Sequence, residues 1–298
     1  MAEKYLFRGA ITELIAPMDA NENIDYELFG KQIRFQLEHG IRGLFLSGLT
    51  ECMVTSLEEQ IEMMRYTVRE VNGCVPIMGS ICTNRPQDAL MVMKAYEECG
   101  ADAVAVVQPH TFTFGEPAMY DFYTEMIRES TIPFYIYNAP QTSNTLSPEL
   151  VHRLVRENEN VLGYKDSTID IMHLQAVMGG IEKGRHFEVL GGSDASTYAL
   201  MAMGGCGVIS WVSVIFPQLI IDLCDSFLNG EIETARQLMF RVNEVRSALR
   251  QAPMDTGYRA VGEIVGCPLG YARRPMTPQA TEQQKEAVIS RLKEIGML

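Results

Sequence analysis

From residue 9 to residue 229, short apolar or β-branched runs alternate with longer amphipathic stretches at intervals of about 25 to 30 residues. This is the rhythm of strands each followed by a helix. Eight runs read as strands: residues 10–16, 43–47, 76–81, 103–108, 134–138, 161–164, 188–191 and 207–211. Capping signals mark the helices between them. Asp25 precedes 26–38, Thr55 or Ser56 precedes 58–71, and Ser147-Pro-Glu149 opens 150–156. Gly40, Gly73, Gly100 and Gly180 stand where helices are expected to end. Eight parallel strands alternating with helices close most economically into a (β/α)8 TIM barrel, whose usual size of about 250 residues leaves a remainder in this chain. The reading is therefore an α/β barrel over 1–229 and a C-terminal three-helix extension over 230–298. Helical spacing falls at 231–251, 255–265 and 278–295, with breaks at Cys267-Pro-Leu-Gly270 and Arg274-Pro275. An open doubly wound sheet is the alternative, but no G-x-G-x-x-G follows the first run.

Charge and cysteine usage narrow the function classes. A hydrophobic content of 47% is ample for a buried core, and a net charge of −13 argues against binding to phosphate backbones or anionic lipid. Neither nucleic acid nor membrane is expected as a partner. An anionic small molecule stays possible, because local hydroxyls, amide N–H groups or an iminium can hold a carboxylate against the global field. Seven cysteines, widely spread and never in a C-x-x-C pair, suggest neither a disulfide framework nor a zinc site. The five histidines lack metal-ligand spacing, so no metal or organic cofactor is expected. The N-terminus lacks a signal-peptide core and no apolar run approaches the roughly 18 residues of a membrane span, which points to a soluble, cytoplasmic protein.

In a barrel the active site forms at the C-terminal ends of the strands. That rule selects residues around Ser47–Glu51, 108–111, 137–144, 165–168, 192–194 and 210–213. Lys165 ends an apolar run, where an ammonium is costly unless paired or neutralised. Desolvation lowers a lysine pKa, and the neutral amine attacks a ketone carbon. Tyr137 ends the preceding run, so its phenol can converge on Lys165 and shuttle protons at an imine. Lysine and tyrosine together are what a carbinolamine mechanism requires.

Several motifs occur in a recognisable order: Ser47-Gly-Leu-Thr50, Tyr137-Asn-Ala-Pro140, Gly163-Tyr-Lys-Asp-Ser-Thr168, Gly191-Gly-Ser-Asp-Ala-Ser196, Gly204-Gly-Cys-Gly-Val-Ile-Ser210 and Pro275-Met-Thr-Pro278. In these the chain resembles the dihydrodipicolinate synthase / N-acetylneuraminate lyase family of class I (Schiff-base) pyruvate aldolases. The resemblance implies that Lys165 condenses with a 2-keto acid such as pyruvate, with Tyr137 as general acid and base. It implies that Gly48, Leu49 and Thr50 hold the pyruvyl carboxylate, that the Ile209 carbonyl and Gly192 lie near that pocket, and that the covalent imine needs no cofactor. It also implies a homo-oligomer, a dimer or a dimer of dimers.

Departures from the family pattern bear on the substrate. Leu49 replaces a hydroxyl of the usual Gly-Thr/Ser-Thr-Gly-Glu motif, and Thr111 stands where a second tyrosine is expected to cross from a neighbouring subunit. Two members of a proton relay are thus missing. His110 is a candidate to replace part of that capacity, and Glu51 reads as a rim or subunit-contact residue. Synthase members carry an arginine where this chain has Thr142, so no charge-matching fork is expected there. Thr142 and Asn144 offer a hydroxyl and an amide, which suit a neutral polyol. Asp194 is a candidate for sugar hydroxyls or for an N-cap, and Trp211 narrows the pocket against a nine-carbon amino sugar acid. The chain therefore reads as nearer to the 2-keto-3-deoxy sugar acid aldolases: a lyase cleaving such an acid, or a related 4-hydroxy-2-keto acid, to pyruvate and an aldehyde. The alternatives are condensation of pyruvate with aspartate semialdehyde, as in the synthases, or dehydration of a sugar acid at the same site. A non-catalytic keto-acid sensor is the reading from a different class.

Overall fold

The computed structural model describes residues 5–298. Among them, eight parallel strands close into a barrel in chain order: β1 Gly9–Glu13, β2 Leu44–Leu46, β3 Ile77–Ile81, β4 Ala103–Val107, β5 Phe134–Asn138, β6 Val161–Asp166, β7 Glu188–Gly191 and β8 Gly207–Ser210. The helices that follow them are α1 Tyr26–Glu38, α2 Leu49–Cys52, α3 Leu57–Val71, α4 Pro86–Cys99, α5 Glu116–Glu129, α6 Pro148–Glu157, α7 Ile171–Gly179, α8 Thr197–Ala202 and α9 Pro217–Leu228. Three more complete the chain: α10 Ile232–Leu249, α11 Thr256–Val265 and α12 Glu282–Glu294. This is the expected TIM barrel carrying a helical tail. No helix among the described residues is long and apolar enough to cross a membrane.

Two apolar layers hold it together. Phe7, Ile11, Phe45, Met78, Tyr135 and Leu190 fill the barrel interior. A second layer between sheet and helices runs unbroken into the tail through Ala235, Met239, Val242 and Val245 of α10. At the closing seam β8 lies so near β1 that a Cβ on Gly207 would sit 2.2 Å from the Gly9 carbonyl oxygen, which only glycine permits. The floor is polar. The buried Glu188 carboxylate accepts from Leu6 N at 2.6 Å, Phe7 N at 2.9 Å and the Tyr135 hydroxyl at 2.5 Å, so each charge-bearing oxygen is satisfied.

Local chemistry explains the boundaries. Asp25 accepts from Leu28 N, Ser147 accepts from Leu150 N, and Ser56 with Glu59 forms a reciprocal capping box. Thr55 is not the cap, because its hydroxyl donates to the Glu51 carbonyl at 2.6 Å. The first strand ends at Glu13, three residues earlier than expected, because the Gln32 amide takes both backbone groups of Ile15 at 2.9 and 2.8 Å in place of a neighbouring strand. β6 continues two residues further than expected, which puts Lys165 inside the ladder directly beside Tyr137 on β5. Gly180 follows α7 in a right-handed conformation, φ −95°. α12 begins at Glu282, where Thr281 and Gln284 form a second capping box.

Candidate active site

Lys165 is wholly buried, and its Nζ lies 3.2 Å from Glu13 Oε2, 3.6 Å from the centre of the Phe45 ring and 4.2 Å from that of Tyr137. The barrel register brings these residues together. β1 supplies the carboxylate, β2 the phenyl ring, β5 the phenol and β6 the amine. Burial pulls the Lys165 ammonium below the ordinary lysine range, while the Glu13 charge pulls the other way. An amine held between these influences is poised to shed its proton. Tyr137 is pushed well above the usual phenol range, first by burial and then by the Glu13 charge. Its hydroxyl is therefore a proton donor, and it accepts from Ser167 Oγ at 3.3 Å.

Above this cluster opens a cavity of about 390 Å³, a size suited to a small metabolite. Its lining includes Glu13, Leu49, Thr50, Tyr137, Gly192, Asp194, Ile209 and Trp211. Gly48 caps α2 beneath it, where a Cβ would collide with the Glu13 carboxylate at 1.9 Å. Trp211 packs edge-on to Tyr258 with ring centres 5.8 Å apart, forming an apolar wall. The cavity also receives Arg246 from the last turn of α10 and Arg250 from its C-cap, with Met254 and Tyr258 beyond them.

Several candidates are placed differently from the sequence reading. Asn144 is turned inward. Its Oδ1 accepts from Phe114 N at 3.0 Å, and its Nδ2 donates to Pro109 O at 2.9 Å and Phe112 O at 2.7 Å, so the amide is consumed in bracing two loops. Thr142 donates its hydroxyl to Ala139 O at 2.8 Å. Thr142, His110 and Thr111 line an adjoining cleft rather than the cavity beside Lys165, although Leu49, Thr50 and Gln141 border both. His110 bonds Thr111 Oγ1 at 3.1 Å, and the Cys82 thiol near it is drawn below the usual thiol range, first by the Cys52 thiol and then by this imidazole. Asp194 neither caps a helix nor offers a free carboxylate. Its Oδ1 accepts from the Ser210 hydroxyl, and Oδ2 accepts from Trp211 N and Val212 N at 3.3 Å each, which pins the end of β8.

Glu51 is not a rim residue. It is buried, its Oε2 has no hydrogen-bond partner, and burial followed by repulsion from Glu13 and Asp255 raises it to about 8. It is therefore protonated near neutrality. Glu13, Arg246 and Arg250 were absent from the sequence reading altogether. The available signal for Glu13 was an acidic residue closing an otherwise apolar run, Gly9-Ala-Ile-Thr-Glu13. For the arginines there was none, since a basic residue on a tail helix ordinarily faces solvent.

Comparison with known proteins agrees with this geometry. The model of the dihydrodipicolinate synthetase family matches residues 6–295. The 4-hydroxy-tetrahydrodipicolinate synthase of Nitratidesulfovibrio vulgaris (strain DP4) is 30% identical over 264 residues, covering 87% of this chain and 89% of that protein. That of Bacillus subtilis (strain 168) is 29% identical over 291 residues, covering 97% and 99%. Among solved structures, the dihydrodipicolinate synthase of Thermotoga maritima superposes with a TM-score of 0.92 at 28% identity, over 99% of this chain and 100% of that one.

Proposed function

The chain belongs to the dihydrodipicolinate synthetase family, and from that premise we propose that it is a class I, Schiff-base-forming enzyme that joins or separates pyruvate and an aldehyde. The observation that carries this reading is the buried Lys165 amine, desolvated and 3.2 Å from the Glu13 carboxylate beneath a cavity lined by Tyr137. Glu13 takes the ammonium proton, and the neutral amine adds to the keto carbon of pyruvate. Tyr137 donates a proton to the carbinolamine oxygen, which leaves as water and gives the imine. The iminium is the electron sink, so no cofactor is called for. Loss of a C3 proton then yields an enamine that attacks the aldehyde, and the reverse sequence cleaves the bond. The Thr50 hydroxyl and the adjacent N–H groups suit the pyruvyl carboxylate.

Two aldehyde partners have support. The relatives named above favour aspartate semialdehyde, which makes the synthase reaction the first candidate. Cleavage of a 2-keto-3-deoxy sugar acid is the second, favoured by Thr142 in place of the synthase arginine and by Leu49 and Thr111 in place of relay hydroxyls. A neutral polyol loses part of its earlier basis, because Asn144 and Thr142 already spend their polar groups on the protein.

Borohydride reduction with pyruvate, followed by peptide mass spectrometry, tests the imine. Labelling at Lys165 is expected, with product analysis against aspartate semialdehyde and sugar-derived aldehydes to follow. An unlabelled protein overturns the reading and brings the non-catalytic keto-acid sensor forward.

A further inference from the structure

The cavity carries a charge pattern that imine chemistry leaves unused. Its charged lining residues are Glu13, Asp194, Arg246 and Arg250. Glu13 is paired with Lys165 at 3.2 Å, and the Asp194 oxygens are held by Ser210, Trp211 and Val212. The two arginines are different. Arg246 stands in the last turn of α10 and Arg250 just past its end, at the C-cap, and neither forms an ion pair among the described residues. Arg246 makes only a long hydrogen bond of 3.4 Å to Asn243. On the same helix Arg236 and Arg241 pair with Glu233 and Glu244 at 2.6 and 3.1 Å, as most arginines of this chain pair with an acid.

An arginine left unpaired in a chain with 38 acidic and 25 basic residues is a choice the fold has to support. Arg246 is half-buried, and burial weighs against its charge more than the nearby Asp194 favours it. A guanidinium stays protonated even so, and a partly desolvated cation without a counter-ion is stabilised when an anion arrives. Arg250 is exposed and lines the same cavity, so the pair spans from its wall to solvent. With Glu13 balanced by Lys165, the two guanidiniums and the Asp194 carboxylate of the lining leave about one net positive charge. That balance matches a singly charged carboxylate better than a phosphate near −2, and a guanidinium fork grips a carboxylate through two parallel hydrogen bonds.

We propose that the end of the substrate remote from the imine carries a second carboxylate, received by Arg246 and Arg250. This rests on the Lys165 imine reading, and it restricts the substrate to compounds acidic at both ends. The charge that Thr142 does not supply comes instead from the helical tail.

The test uses two keto acids of equal chain length, 2-oxoadipate with a terminal carboxylate and 2-oxohexanoate with a methyl. Half-saturation for borohydride trapping at Lys165 is expected at least about tenfold lower for 2-oxoadipate, the range of a hydrogen bond to a charged group. In the R246Q/R250Q double variant the ratio should fall to within about twofold, the ratio cancelling any effect common to both anions and circular dichroism serving as the control for folding. A ratio near one in the unsubstituted protein, or a preference that survives in the double variant, overturns the inference. Failure of the imine reading looks different, because pyruvate then leaves Lys165 unlabelled. In that case calorimetric affinities for the same two acids decide the subsite alone: an arginine-dependent preference upholds it and equal affinities overturn it.

Discussion

At the scale of single residues, Lys165 and Glu13 cannot be understood apart. Burial lowers the lysine and the carboxylate 3.2 Å away raises it, so removing the carboxylate exposes the effect of burial alone. In Glu13→Gln the Lys165 pKa should fall further, and the acidic limb of imine formation with pyruvate should move to lower pH, as read by trapping rates across pH. If Glu13 also moves the proton between nitrogen and solvent, the same variant should lose about 10²–10⁴-fold in exchange of pyruvate methyl protons, measured by NMR in deuterated water. An unmoved acidic limb would show that the carboxylate does not act on the amine. Glu51 makes a prediction of stability. Its folded pKa of about 8 lies above the ordinary glutamate value of 4.5, so the neutral form is favoured on folding. That contribution is complete below about 4.5, declines as pH rises towards 8, and is gone above it. Glu51→Gln should therefore be more stable than the parent at pH 9 by on the order of a few kcal/mol, read as a higher unfolding temperature, because the amide never has to be buried as an anion. The advantage should disappear near pH 4.

At the scale of elements, Arg259 joins the tail to the barrel. Its guanidinium pairs with Asp255 at 2.6 Å across one turn of α11, bonds the Leu269 carbonyl, and reaches Ala16 O at 3.2 Å just beyond β1. Both charges are buried. Arg259→Leu strands Asp255 without a counter-charge and should cost about 3–5 kcal/mol, read from the denaturant midpoint, whereas truncating an exposed pair such as Lys31–Glu27 should cost under about 1 kcal/mol. The same contrast between local and distant causes explains what the sequence disclosed. β5 and β7 are legible to the residue because each is a buried run bounded by breakers, and the caps at Asp25, Ser56 and Ser147 act within four residues. β1 is misread at its end because apolar character reports burial, not pairing. Leu14, Ile15 and Ala16 are as buried as the strand before them, but a glutamine from α1 replaces the ladder. The convergence of strand ends at one mouth follows from the barrel rule alone. Glu13 at Lys165, Arg246 at the cavity and Asn144 locked between loops depend on which side chains the closed barrel and its tail bring face to face, and no periodicity carries that information.

At the scale of the whole molecule, charge and exposed apolar surface pull in different directions. A net charge of −13 on 298 residues favours dispersion of copies, yet Phe112, Ile169, Met172 and Met53 are 71%, 72%, 74% and 59% exposed. Phe112 follows β4, Ile169 and Met172 follow β6, with Met172 in the first turn of α7, and Met53 follows β2, so these side chains stand at the same end of the barrel as the cavity. Apolar side chains gathered at one end mark an association surface more often than chance. Repulsion between acidic copies weakens with salt while apolar burial does not. A homo-oligomer is therefore expected, and raising the ionic strength should strengthen it. Light scattering behind a sizing column should give a mass of two or four times the 33.4 kDa chain, and Phe112→Asp should shift that mass downward by placing a charge in the contact. A single-chain mass at both low and high salt would remove the association surface, and the cavity would then have to be completed by this chain alone.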